Sequence, residues 1–251
     1  MRKLVDAVDP QADDVFIEIG PGRGALTRPL AARVRLLIGI EVDRDLADAL
    51  TREALPNVRV VTGDVLEVGV GRLVVPGDAR RLRVAGNLPY NISSPILFRL
   101  LEWQRALPAL ADASLMLQRE VADRLVAPPG TRDYGVLSVL FARHTRASRL
   151  LTLPPGAFRP PPQVTSAVVR LEFLPPAAVP EAPPWFDALV RAAFTQRRKT
   201  LANALRAFAA GRGVDAVTAI REAGLDPSRR PETLDLAAFV GVAHAVERLT
   251  G

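Results

Sequence analysis

The chain has 251 residues, 49% of them hydrophobic, and a formal charge of +6, so it can bury a substantial core in one large domain or a large and a small one. With no cysteine and only His144 and His244, far apart, disulfides, thiolate sites and a metal centre are not expected. No apolar run reaches the length of a membrane span and "MRKLVDAVDP" lacks the apolar centre of a signal peptide, so the expected location is the cytoplasm; the positive charge suits a nucleic-acid partner without requiring one.

"VFIEI" (15–19) reads as a buried strand. "EIGPGRG" (18–24) follows it and opens the helical stretch "ALTRPLAARV". Small residues there allow a sharp turn and the close approach of a ligand to the main chain, with Gly20 and Gly22 as the candidates. The spacing is G-x-G-x-G, not the dinucleotide fingerprint, and no P-loop is present.

"RLLIGI" (35–40) is the second strand and Glu41 ends it, where doubly wound folds place an acid on a ribose diol. "DRDLADALTREA" has helical spacing and leads to "VRVV" (58–61). Asp64 follows that third strand and could accept from an adenine amino group. Each has a plainer alternative: a glycine turn, a solvated strand end, a turn cap. Their order at three strand ends favours a ligand crevice on the carboxyl edge of a parallel sheet.

"RLRVAG" (81–86) is the fourth strand and runs into "NLPY" (87–90). The Asn87 side-chain oxygen and the Leu88 carbonyl could accept both N–H bonds of an exocyclic adenine amine, aiming its lone pair at an electrophile. Pro89 fixes the turn and Tyr90 offers a face for an unstacked base. The alternative is a proline turn with Tyr90 packed inward.

"SLMLQ" (114–118) is a fifth strand, and "VTSAVVRLEFL" (164–174) is a late strand expected to close the sheet at one edge. "LPPAAVPEAPP" (174–184) reads as a linker. Beyond it only helices are expected, at 185–194, 199–209, about 213–222 and 235–248. The fold class is α/β, a parallel sheet with helices on both faces, in residues 1–178, followed by a small all-α domain in 179–251. In "FTQRRKTLANALRAF" (194–208), Arg197, Arg198, Lys199 and Arg206 are expected to face solvent and could meet RNA phosphates; a solvated helix face is the alternative. Arg119, Arg124 and Arg132 are weaker candidates.

Taken together, "EIGPGRGALT", "IGIEVDRDLA", "GNLPYNISSP", "LQREVADRLVAPPGTRDYGVLSVL", "FRPPPQVTSAVVRL" and "FTQRRKTLANAL" resemble the ribosomal RNA adenine dimethyltransferases of the KsgA type, over nearly the whole chain. The resemblance implies a Rossmann-like methyltransferase fold, S-adenosyl-L-methionine as cofactor, and dimethylation of two adjacent adenosines in a hairpin loop near the 3′ end of 16S rRNA. The implied partner is the small ribosomal subunit during its biogenesis; a monomer is the default expectation, which no feature of the sequence supports directly. Gly20, Glu41, Asp64 and Asn87 would contact the cofactor, Asn87 to Tyr90 would hold the target base, and Phe158 would stack on it. For Phe158 an ordinary core phenylalanine is the alternative. The family also carries an N-terminal arm over the cofactor. "RKLVDAVDP" is similar to the second half of the helix that follows that arm, and weaker cofactor binding without the arm is the expectation. Two other readings stay open: a large-subunit rRNA or DNA adenine methylase, and an RNA-binding assembly factor with an impaired cofactor site.

Overall fold

The computed structural model describes residues 2–73, 81–107, 109–157 and 164–251. Five strands are parallel neighbours: β1 (Val15–Ile19), β2 (Leu36–Glu41), β3 (Val58–Thr62), β4 (Leu82–Asn87) and β5 (Leu110–Gln118). All of β1 is buried, and apart from Glu18 it reads as an apolar run. β6 (Thr145–Leu153) and β7 (Ser166–Phe173) complete a seven-stranded sheet of order β3-β2-β1-β4-β5-β7-β6, with β7 antiparallel to β5. The late strand expected at the sheet edge is therefore one position in. β6, which the sequence pattern does not reveal, takes the edge.

The chain runs outward from β1 to β3 and then returns to β4 on the other side of β1. That reversal is the place where open sheets bind ligands, beyond the carboxyl ends of the strands. On one face, α1 (Arg2–Val8) and α2 (Thr27–Ala31) bury Leu4, Val5, Leu26 and Leu30 against Phe16, Leu37 and Ala85. α3 (Arg44–Arg52) starts at Asp43, whose carboxylate accepts from the Asp45 and Leu46 amides. α4 (Ser93–Ala106) follows the NLPY turn and buries Ile96, Leu97, Leu100 and Trp103.

At the opposite, amino edge, Arg83 is almost fully buried. It donates to Asp112 (2.9 Å), Asp14 (2.8 Å) and the Val8 and Asp9 carbonyls, and lies 4.9 Å from the Phe16 ring centre. This ties the end of α1 to the start of the sheet.

The chain divides into two compact units, residues 1–122 with 146–177 and residues 123–145 with 178–251. The segment 123–145 was expected in the first domain and belongs to the second. Its helix α6 (Val136–His144), preceded by α5 (Arg119–Val126), packs on α7 (Phe186–Thr195) and α10 (Leu236–Thr250). Tyr134 donates to the Leu234 carbonyl (2.7 Å) and meets Phe194 edge-on. α8 (Leu201–Ala210) and α9 (Ala216–Glu222) complete this unit. Thr200, Asp215 and Asp235 cap α8, α9 and α10 with their side-chain oxygens. No helix among the described residues is long and apolar enough to cross a membrane.

Candidate active site

The residues Asp64, Glu41, Gly20 and Asn87 lie at or just beyond the carboxyl ends of β3, β2, β1 and β4, four adjacent strands in that order. At about 4.8 Å per strand, the row spans about 14 Å, the scale of a nucleoside with a side chain attached.

The turn after β1 is made of glycines in the left-handed region: Gly20 (φ +67°), Gly22 (+55°) and Gly24 (+75°). A Cβ at Gly20 or Gly22 would meet nothing within 4 Å, so the backbone there faces open space. At Gly24 the guanidinium of Arg28 fills the place of the missing side chain at 3.1 Å, donating to the Arg23 carbonyl and to Glu53. Pro21 covers Gly39 of β2, where a Cβ would sit 3.2 Å from Pro21 Cγ.

Glu41 is buried and grips this turn. Oε2 accepts from the Gly22 amide (2.8 Å) and Oε1 from the Asp43 amide (3.1 Å). Each oxygen keeps a lone pair for a further donor. Asp64 is half-buried two residues beyond β3. Its Oδ1 accepts from the Leu66 amide (2.9 Å), and its Oδ2 has no partner among the described residues.

Asn87 ends β4 with an exposed side chain that has no hydrogen bond among the described residues. Leu88 is buried and its amide donates to the Met116 carbonyl (3.1 Å), which fixes the turn on β5. Pro89 is exposed, and its carbonyl accepts from Ile92 at the start of α4. Tyr90 is half-buried, and its hydroxyl is 2.8 Å from Ser166 Oγ at the start of β7. Sequence reasoning missed Ser166; only the pairing of β5 with β7 brings it here. Phe158 lies outside the described residues.

Arg197 departs from the solvent-facing run expected of it. It is ion-paired with Glu232 (2.8 Å) and donates to the Thr131 carbonyl (3.1 Å). Arg198 and Lys199 lie in the turn before α8, exposed and with no ion pair among the described residues. Arg206 sits on α8, exposed, and donates to Asn203 Oδ1 (2.5 Å).

Comparison with known proteins adds three findings. Residues 1–239 match the family model described as ribosomal RNA adenine dimethylase. The chain is 42% identical, over all of its length and 92% of the relative's, to the ribosomal RNA small subunit methyltransferase A of Geobacter metallireducens. It is 46% identical, over all of its length and 87% of the relative's, to the protein of that name from Ralstonia nicotianae. Among solved structures, a dimethyladenosine transferase from Plasmodium falciparum shares the fold at TM-score 0.82 and 24% identity, covering 98% of this chain and 94% of that one. The 23S rRNA methyltransferase ErmE shares it at TM-score 0.66 and 24% identity, covering 98% and 96%.

Proposed function

The chain belongs to the ribosomal RNA adenine dimethylase family and is an rRNA adenine dimethyltransferase; we propose that S-adenosylmethionine is its donor and that it modifies two adjacent adenosines near the 3′ end of 16S rRNA in the small ribosomal subunit. The observation that carries this is the row of strand ends. An open glycine cradle, two carboxylates with lone pairs to spare and an unpartnered amide stand side by side on one sheet edge.

When bound, the cofactor supplies an electrophilic sulfonium methyl. Gly20 and Gly22 let it lie against the main chain. Glu41 has one lone pair left on each oxygen for the two ribose hydroxyls, and Asp64 Oδ2 is open to the adenine amino group. Across β1, Asn87 and the Leu88 carbonyl accept the two N–H bonds of the target amine. That withdraws its lone pair from the ring and aims it at the methyl. Tyr90, held by Ser166, presents a ring at a fixed angle for the flipped base. The nitrogen is cationic after transfer and sheds its proton readily, so water at the exposed Asn87 edge suffices as acceptor. Most of the rate enhancement then comes from positioning. Arg198, Lys199 and Arg206 serve the rRNA phosphates, while Arg197 holds the turn that presents them. The reading carries a cytoplasmic location with it.

The test is methyl transfer from labelled S-adenosylmethionine to 30S particles lacking this modification, with nucleoside analysis of the product. Dimethyladenosine near the 3′ end of 16S rRNA is expected, and Asn87→Ala should abolish it while RNA binding persists. Transfer confined to 23S fragments or to DNA would overturn the choice of substrate.

A further inference from the structure

The loop that carries Asp64 is closed on itself. The Asp64 carbonyl accepts from the Glu67 (2.9 Å) and Val68 (2.8 Å) amides, and its Oδ1 accepts from Leu66. Residues 64–68 therefore turn as one piece. Val68 is buried, and its Cγ2 closes over Gly63, 3.1 Å from where a Cβ would sit. At its near end the piece is pinned to β2, where the Gly63 amide donates to the Glu41 carbonyl (2.8 Å). At its far end Arg99 of α4, 31 residues along the chain, donates from Nη2 to the Val68 carbonyl (3.1 Å).

Arg99 is a costly residue for this place. Its side chain is 23% exposed, and Nη1 pairs with Glu102 (2.6 Å). Nε is buried with no hydrogen-bond partner among the described residues. A buried N–H left unpaired is destabilising, and a methionine would fill the same stem volume without one. What the guanidinium adds is a donor that reaches the Asp64 loop from another element. That element is the helix opened by the NLPY turn. Ile92 donates to the Pro89 carbonyl, and Arg99 lies seven residues further on, about 10 Å along the axis. One helix thus meets the acceptor turn at its start and, two turns later, the loop at the adenine end of the crevice.

We propose that Arg99 is a positioning residue for recognition of the cofactor's adenine: by holding Val68 it fixes Asp64 Oδ2 where the adenine amino group meets it. The proposal rests on the reading of S-adenosylmethionine as donor and of Asp64 as acceptor from that amine. Arg99 does not touch the ligand. Without it, the loop must be ordered again each time ligand binds, and that cost falls on the bond to the amine.

Titration calorimetry on the full chain tests this with two probes, S-adenosylhomocysteine and S-inosylhomocysteine, in which an oxygen replaces the amino nitrogen. A hydrogen bond to a charged acceptor is worth roughly 10- to 100-fold, so wild type should prefer the amine by at least about tenfold. Arg99→Met keeps helix propensity and apolar stem, and should lower that preference about fivefold by weakening S-adenosylhomocysteine alone. In methyl transfer the same loss should appear in KM for S-adenosylmethionine and not in kcat, because the NLPY turn keeps its own anchors on Met116 and Ser166. Arg99→Lys retains a donor for the Val68 carbonyl and should recover most of the preference. An equal fall for both probes in Arg99→Met, or no fall for either, overturns the proposal. A loss in Arg99→Lys as large as in Arg99→Met assigns the effect to packing rather than to the bond with Val68, and overturns it too. Wild type that binds both probes equally overturns the role of Asp64 and this inference with it; wild type that binds neither overturns the donor reading as well. Should Arg99→Met fail to fold, Arg99→Gln, whose donor ends two bonds short of Nη2, is read by the same criteria.

Discussion

Adding a single methyl group at Gly86 tests whether the close approach of two strands sets the spacing of the site. A Cβ there would lie 2.9 Å from the Ile19 carbonyl oxygen, 3.2 Å from Ile19 Cβ and 3.3 Å from a Leu88 methyl. Ile19 is the register partner of Gly86, so the obstacle is the backbone of β1 itself and cannot swing aside as a flexible side chain could. Either the end of β4 moves and takes Asn87 with it, or the end of β1 moves and takes Gly20. Overpacking of this kind costs about 1–3 kcal/mol. A displacement approaching 1 Å in a site that works by positioning costs up to about 100-fold in rate. Gly86→Ala is therefore expected to lower unfolding free energy in urea by about 1–3 kcal/mol and kcat on 30S particles by about 10- to 100-fold. Gly71→Ala is the control, because a Cβ there meets nothing within 4 Å; it should shift stability by less than about 0.5 kcal/mol. Wild-type stability and kcat in Gly86→Ala would refute the argument.

Three further outcomes are expected. Tyr90→Phe removes the partner of the buried Ser166 hydroxyl and should cost about 1 kcal/mol of stability with a severalfold fall in kcat, whereas Tyr90→Ala also forfeits about 1–3 kcal/mol of base stacking and raises KM for RNA. Identical kinetics for the two variants would show that the ring is not a stacking surface. Arg197→Ala should cost about 0.5–1 kcal/mol in urea unfolding, since its ion pair is partly exposed, while Arg198→Ala and Lys199→Ala should leave stability alone and each reduce the salt slope of RNA binding by about 1. The reverse pattern would exchange their roles. Without cofactor, Glu18 has a folded pKa raised from 4.5 to about 7, so the stability it lends is present below about pH 4.5 and lost as pH rises through about 7. At about 1.4 kcal/mol per tenfold change in proton affinity, wild type should lose about 3 kcal/mol relative to Glu18→Gln across that window, and parallel urea midpoints for the two proteins would contradict the burial of an unpaired carboxyl.

What the sequence discloses depends on whether a residue's surroundings are local. β1, β2 and β4 are buried almost throughout and appear as apolar runs, and Gly20, Glu41 and Asn87 stand where those runs stop. β6 stayed hidden because an edge strand needs only partial cover: Arg146, Ser148 and Arg149 are exposed and interrupt the pattern. The placement of 123–145 was equally illegible. It depends on contacts such as Tyr134 with Phe194 and with the Leu234 carbonyl, the latter a hundred residues away in the chain.

The same distinction divides the site itself. "QRRK" reads as one uniform basic run until Glu232, 35 residues beyond Arg197, selects one of its members and makes it structural. Glu18 is as visible in "EIGPGRG" as the glycines are. Yet its charge state follows from Gly39, Ala85, Thr27 and Glu41, which arrive from β2, β4 and α2. A glycine's contribution is conformational and travels with its own backbone, so a motif conveys it. A buried carboxyl's contribution is set by what fails to reach it, and that is a property of the assembled sheet. The acid of a glycine-rich motif is therefore the member whose chemistry the motif alone leaves open.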